Sequence, residues 1–112
     1  MRPAFASLLL LLAACGGSGP SVGSVEEAAD LIGCSDVERD DEMLFVTEGA
    51  VCDRDGERVW VMYFASNEAR DNYVEVGEQM GGLMLVGDHF VVDAKPDTVR
   101  SLAEEVDGEV KP

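Results

Sequence analysis

Histidine and clustered carboxylates are the side chains of this chain that would carry catalysis or metal binding. His89 is the only histidine among 112 residues, and no serine stands near it in a motif such as G-x-S-x-G. The densest acidic segment, residues 36–42, lacks the fixed carboxylate spacing and the turn glycine of a calcium-binding loop. We therefore expect no metal site, no cofactor and no catalytic residue, with His89 a structural turn residue and 36–42 a solvated loop.

Residues 1–15 have the layout of an export signal. Arg2 precedes a short apolar stretch, which is followed by the small residues Ala13 and Ala14. That stretch is shorter than the about 20 apolar residues that a transmembrane helix needs. The segment Leu12-Ala13-Ala14-Cys15 resembles the lipobox of bacterial lipoproteins, in which a lipid is attached to the cysteine sulfur and the chain is cut just before it. An ordinary secretory signal with a free thiol at Cys15 is the alternative.

The lipobox resemblance implies a location and an anchor rather than an activity. The mature chain would begin at Cys15 and be held by its acyl chains in the bilayer, on the extracytoplasmic face of a bacterial cell membrane. Residues 1–14 are then the signal peptide, 15–23 the lipidated cysteine with a flexible Gly/Ser tether, and 24–112 a single domain. In composition and layout the chain is similar to small acidic lipoproteins of high-GC Gram-positive bacteria, which implies no active-site residues.

Three cysteines are an odd number, which needs an explanation in an exported protein. If Cys15 is acylated, as the resemblance implies, Cys34 and Cys52 remain as one pair in an oxidising compartment. No C-x-x-C motif or neighbouring basic residue is present to lower the pKa of either thiol and make the pair redox-active. The expectation is a structural disulfide between Cys34 and Cys52.

The charge of the chain restricts its partners. Without Arg2, seven basic residues stand against 23 acidic ones, a net charge of −16 for the mature chain. Such a surface repels phosphate groups, so we expect no nucleic-acid binding and no adsorption to anionic lipid. A charged protein partner is expected to be basic. The alternative is that the acidic residues only keep an exported domain soluble.

Capping residues and apolar spacing predict three short helices. Ser24 and Glu27 form a capping box for a helix at 25–32, which Gly33 ends. Ser66 or Asn67 caps the second helix, and Pro96 opens the third. The predicted buried positions of the second helix are Ala69, Tyr73, Val76 and Met80, and those of the third are Val99, Leu102, Ala103 and Val106.

Strand signals alternate with these helices. We predict strand structure at 44–47 and 50–52, as one strand or as two short ones broken near Gly49, and then strands at 57–64, 83–86 and 90–93. Asp55-Gly56 and Gly87-Asp88 are hairpin-turn signals. The predicted fold is an α+β domain, in which a small, mostly antiparallel sheet of two hairpin-like strand pairs packs with three short helices and one disulfide.

Strand 57–64 is apolar on both faces, which is unusual for an antiparallel sheet with one face in water. Helices on both faces would explain the pattern. An exposed apolar patch would also explain it, and would make one face of the strand a candidate partner-binding surface. The residues of that face are Trp60, Met62 and Phe64.

These observations lead to a functional hypothesis with two alternatives. The first is a membrane-anchored extracytoplasmic lipoprotein that acts by binding, with a basic or apolar envelope or exported protein as partner. The second is a small envelope hydrolase that uses acidic residues, for which a raised carboxyl pKa would be expected. The third is a cation-binding protein.

Overall fold

The computed structural model describes residues 22–43 and 45–111. The expected signal peptide at 1–14, the lipidation site at Cys15 and most of the tether at 15–23 therefore lie outside the described residues.

A six-stranded antiparallel sheet forms the centre of the domain, in the order β1-β2-β3-β5-β4-β6. The three helices and the single disulfide confirm the predicted α+β class. The strands are β1 Ser35–Arg39, β2 Glu48–Arg54, β3 Glu57–Tyr63, β4 Met84–Gly87, β5 Phe90–Asp93 and β6 Glu109–Lys111. The helices are α1 Val25–Leu31, α2 Asn67–Met80 and α3 Pro96–Glu105.

The sheet has apolar cores on both faces, because helices cover both. Helices α1 and α3 pack on one face, where the larger core includes Val59, Phe90 and Leu102. Helix α2 packs on the other face, over a smaller core that includes Phe64 and Val74. The apolar character of β3 on both sides follows directly from this three-layer arrangement.

Helix α1 and the disulfide have the predicted local structure. Ser24 Oγ accepts the Glu27 N–H at 3.1 Å, while the Glu27 carboxylate accepts the N–H of Gly23, one residue before the cap. Gly33 takes the left-handed conformation with φ +69°, and the N–H of Cys34 reaches the Ala29 carbonyl at 3.0 Å. The Cys34–Cys52 disulfide is confirmed, and it joins the end of α1 to β2.

The sequence predicts the position of the first hairpin turn correctly and that of the second turn one residue too early. Asp55 and Gly56 both have positive φ, as a two-residue hairpin requires. The second turn lies one residue later than predicted, at Asp88-His89. Gly87 is the last residue of β4, where an added Cβ would collide with the Phe90 ring, so a glycine is needed in the strand rather than in the turn.

The edge strands were not predicted from the sequence. β1 occupies much of the segment expected to be a loop at 36–42, and β6 extends the far edge of the sheet. Every residue of β1 is exposed, so no buried face required apolar residues at alternate positions. The segment therefore lacks the alternating pattern by which a strand is predicted. The strand predicted at 44–47 is also wrong in its described part, since Phe45 lies in a turn and β2 begins at Glu48.

Candidate protein-binding groove

Helix α2 carries an apolar stripe that the fold leaves largely open. The stripe predicted to be buried is instead half-buried at Tyr73, 52% exposed at Val76 and 83% exposed at Met80. The helix approaches the sheet through the neighbouring stripe, where Val74 is buried and an added Cβ on Gly77 would lie 2.9 Å from the Met84 side chain. As a result, Val76 and Met80 lie away from the sheet, whereas Ala69 and Tyr73 still pack against the smaller core.

A cavity of about 570 Å³ lies between this stripe and Phe45, and we call it the α2 groove. Phe45 is 82% exposed and has φ +65°, a left-handed conformation that is rare and strained for an aromatic residue. An exposed aromatic ring held at a strained position is a frequent feature of binding sites. The lining residues of the groove are Phe45, Ala69, Asn72, Tyr73, Val76, Gly77 and Met80.

A second cavity, of about 360 Å³, adjoins the α2 groove because Tyr73 lines both; we call it the Trp60 cavity. Trp60 is 40% exposed and pairs across the sheet with Val51 on one side and Asp93 on the other. The lining residues of this cavity are Asp40, Met43, Val46, Trp60, Met62, Tyr73 and Asp93.

Of the three candidate partner-binding residues, only Trp60 presents substantial surface. Met62 and Phe64 are buried beneath α2, and the Phe64 ring lies 5.4 Å from the Tyr73 ring. The three residues share one face of the sheet, but α2 covers the part that holds Met62 and Phe64. Phe45, Val76 and Met80 form the open apolar surface instead.

The environment of Asp93 is the main electrostatic feature of the Trp60 cavity. Partial burial raises the pKa of the Asp93 carboxyl, and a backbone hydrogen bond from Ala94 partly offsets that rise. The pKa of Tyr73 is raised as well, first by burial and then by the negative charge of Asp93. Within the described part of the chain, no Lys or Arg lines either cavity.

His89, the only histidine, makes hydrogen bonds within the fold. His89 Nδ1 lies 3.0 Å from the Phe64 carbonyl oxygen, and its backbone N–H donates to the Asn67 side chain at 2.8 Å. These bonds hold the β4–β5 turn against the start of α2. In residues 22–43 and 45–111, no three His, Cys, Asp or Glu side chains are grouped so that they could hold a metal ion.

We expect Asp93 to lower the stability of the domain near neutral pH. Because its folded-state pKa lies above the ordinary value of 3.8, its contribution to stability is present below that pH and is lost as the pH rises through the folded value. Asp93→Asn should therefore raise the urea midpoint at about pH 7 but not at about pH 3. The matched control is Glu104→Gln, an exposed site on α3. An equal gain at both pH values would contradict the expectation.

Comparison of the chain with family models, curated proteins and solved structures found no match. Among the described residues, no helix has the length and apolar character needed to cross a bilayer. The geometry and charge of the two cavities are therefore the features that bear on function.

Proposed function

We propose that this protein is a membrane-anchored extracytoplasmic lipoprotein whose domain binds another protein through the α2 groove. The observation that carries the proposal is the open apolar stripe of Tyr73, Val76 and Met80, which faces the exposed ring of Phe45 across the groove. Apolar surface of this kind, rimmed by polar residues, is typical of protein-interaction sites. Its aromatic and methionine side chains are types enriched at such interfaces.

Charge complementarity defines the chemistry of the partner. Helix α2 bears the acids Glu68, Asp71, Glu75 and Glu78, and its one basic residue, Arg70, is already bonded to Asp71 and to the Gly87 carbonyl. On the other side of the groove, the segment before Phe45 contains Asp40, Asp41 and Glu42. The α2 acids Asp71, Glu75 and Glu78 line a separate surface of the helix together with Arg70 and Lys111. The acids that bear on the groove are therefore those that directly precede Phe45, together with the net negative charge of the chain. The partner is a basic polypeptide segment that also presents an apolar side chain.

The anchored location is the second part of the proposal, and it rests on the sequence. Leu12-Ala13-Ala14-Cys15 resembles a lipobox, and the following Gly/Ser segment has the composition of a flexible tether. A tether of that length would keep the domain close to the bilayer. Partners would therefore be envelope proteins or exported proteins that pass near the membrane.

Site-specific photo-crosslinking tests the binding site. The full chain carries p-benzoylphenylalanine at position 80 or, as a control, at position 104 on the opposite face of the sheet, and is irradiated in native envelope membranes. We expect a discrete crosslinked protein from position 80 and none from position 104. Mapping of the crosslink should place it in a basic segment of the partner.

Charge variants then measure the contribution of the groove to binding. Val76→Glu combined with Met80→Glu places two charges on an exposed surface and should weaken binding of the captured partner at least about tenfold. Val37→Glu is the matched control, because Val37 is an exposed apolar residue on β1, outside the groove. Equal crosslinking from both positions, or unchanged binding by the double variant, would show that the groove is not the binding site.

A small hydrolase remains the second candidate, because Asp40 and Asp93 line one cavity and the pKa of Asp93 is raised. Its test is NMR titration of the two carboxyl groups. A general acid requires a carboxyl pKa near the working pH, so values that both stay acidic would contradict this candidate. The cation-binding alternative predicts a higher melting temperature in millimolar Ca²⁺ or Mg²⁺.

A further inference from the structure

The Trp60 cavity combines two kinds of group that attract a cation. The aromatic side chains of Trp60 and Tyr73 and the carboxylates of Asp40 and Asp93 all line it. An aromatic face attracts a guanidinium or ammonium group, and a carboxylate adds a charge-assisted hydrogen bond. Met43, Val46 and Met62 complete the lining with apolar surface, which suits the aliphatic stem of a long basic side chain.

Asp40 and Asp93 contribute the negative charge of this cavity. In the described part of the chain, no ion pair joins Asp40 or Asp93 to a basic side chain. Asp40 accepts the backbone N–H of Glu42 at 3.1 Å, a bond that positions its carboxylate and involves a neutral donor. By contrast, Arg39, next to Asp40 in the chain, already pairs with Glu26 and Asp41.

We propose that the Trp60 cavity is a subsite for an arginine side chain of the protein that docks in the α2 groove. The proposal rests on the proposed function and adds the residue type that the partner must supply. Tyr73 lines both cavities, so a polypeptide segment with an apolar side chain in the groove brings a nearby side chain to Trp60. Arginine suits the site better than lysine, because a planar guanidinium stacks on an aromatic ring and bonds a carboxylate at the same time.

The raised pKa of the Asp93 carboxyl also favours a positively charged ligand in this cavity. A partly buried carboxylate with a raised pKa is destabilised in its charged form, and a guanidinium in contact with it would remove that penalty. Asp93 thus lowers the stability of the free domain while strengthening attraction to a cation. Two carboxylates alone are too few oxygen ligands for Ca²⁺, which takes six to eight.

Trp60 is the only tryptophan of the chain, so its fluorescence reports on this cavity directly. The test is a titration of the full chain, purified in detergent, with N-acetyl-arginine amide at constant ionic strength. N-acetyl-citrulline amide is the control ligand, since it has nearly the same shape and no charge. We expect a saturable change with arginine, half-complete at millimolar concentration, and no saturable change with citrulline.

Matched variants separate the subsite from general attraction to an acidic protein. Asp40→Asn and Asp93→Asn should each raise the half-saturation concentration at least about fivefold, and Glu104→Gln should leave it unchanged. Both cavity variants keep an amide oxygen as acceptor and are expected to fold, which circular dichroism checks. The subsite would be overturned if citrulline matched arginine, if Glu104→Gln acted like Asp93→Asn, or if arginine gave no saturable change.

The same variants distinguish failure of the subsite from failure of the proposed function. If crosslinking from position 80 persists while arginine does not bind, only the subsite is wrong. If arginine binds but position 80 captures no protein, the groove is not a protein-binding site, although the cavity still binds a cation. Val76→Glu with Met80→Glu should weaken partner binding at least about tenfold and leave the arginine titration intact.

Discussion

Phe64→Ala is expected to lower the free energy of unfolding by about 3–5 kcal/mol, as for other large-to-small substitutions of buried aromatic residues. The Phe64 side chain is fully buried between the sheet and α2, where it packs against Tyr73. Trp60→Ala, on the same face of the sheet, should cost less, because Trp60 is 40% exposed and loses less buried area. Phe64 is therefore expected to act as a core residue, whereas Trp60, on the same face of the sheet, is available for binding.

Urea unfolding followed by circular dichroism measures both variants, since Trp60→Ala removes the fluorescence signal. Val37→Ala is the control for loss of an exposed apolar side chain. A small effect of Phe64→Ala would mean that α2 does not pack on this part of the sheet. A large effect of Trp60→Ala would mean that Trp60 belongs to the core, and its use as a binding residue would then be untenable.

Removal of the Cys34–Cys52 disulfide is expected to cost about 3 kcal/mol. The two cysteines are 18 positions apart, and their bond restricts the unfolded chain over that loop. The double variant Cys34→Ala, Cys52→Ala should unfold at a lower urea concentration than the parent protein. For a domain whose total stability is in the range of about 5–15 kcal/mol, the loss is a large part of it.

Cys15→Ala provides the matched control, because it removes a cysteine without changing the Cys34–Cys52 loop. We expect it to leave the free energy of unfolding unchanged and to abolish membrane anchoring. Treatment of the parent protein with a reductant should reproduce the double variant and have no further effect on it. A double variant as stable as the parent would show that the bond does not limit the unfolded ensemble.

Local signals in the sequence were the most reliable guide to this fold. The Ser24 cap, the left-handed Gly33 and the Asp55-Gly56 turn each depend on a few neighbouring residues, and each was predicted correctly. The class of the domain followed from the same signals together with the spacing of apolar residues. These features need no knowledge of distant contacts.

The edge strands and the α2 groove depend on tertiary contacts that a sequence pattern does not contain. β1 is held by backbone pairing with β2, and its exposed, mostly polar side chains do not show the residue pattern of a strand. The stripe at Tyr73, Val76 and Met80 has the spacing of a buried helix face. Whether it is buried depends on how α2 rotates about its axis, and the close contact of Gly77 with Met84 sets that rotation. The sequence predicted that the α2 stripe is apolar, but it did not predict that Val76 and Met80 are exposed.

The position of the disulfide has a mechanical consequence for an anchored chain. If the chain is anchored through Cys15 as proposed, a pull from the membrane enters the described part of the domain at Val22 and passes along the short helix α1. If α1 unravels under tension, the covalent bond at Cys34 transfers the load to Cys52 in β2, which is hydrogen-bonded to strands on both sides. Extension of the chain would then stop at the sheet. The groove, on the opposite face, would keep its shape while the domain is under load.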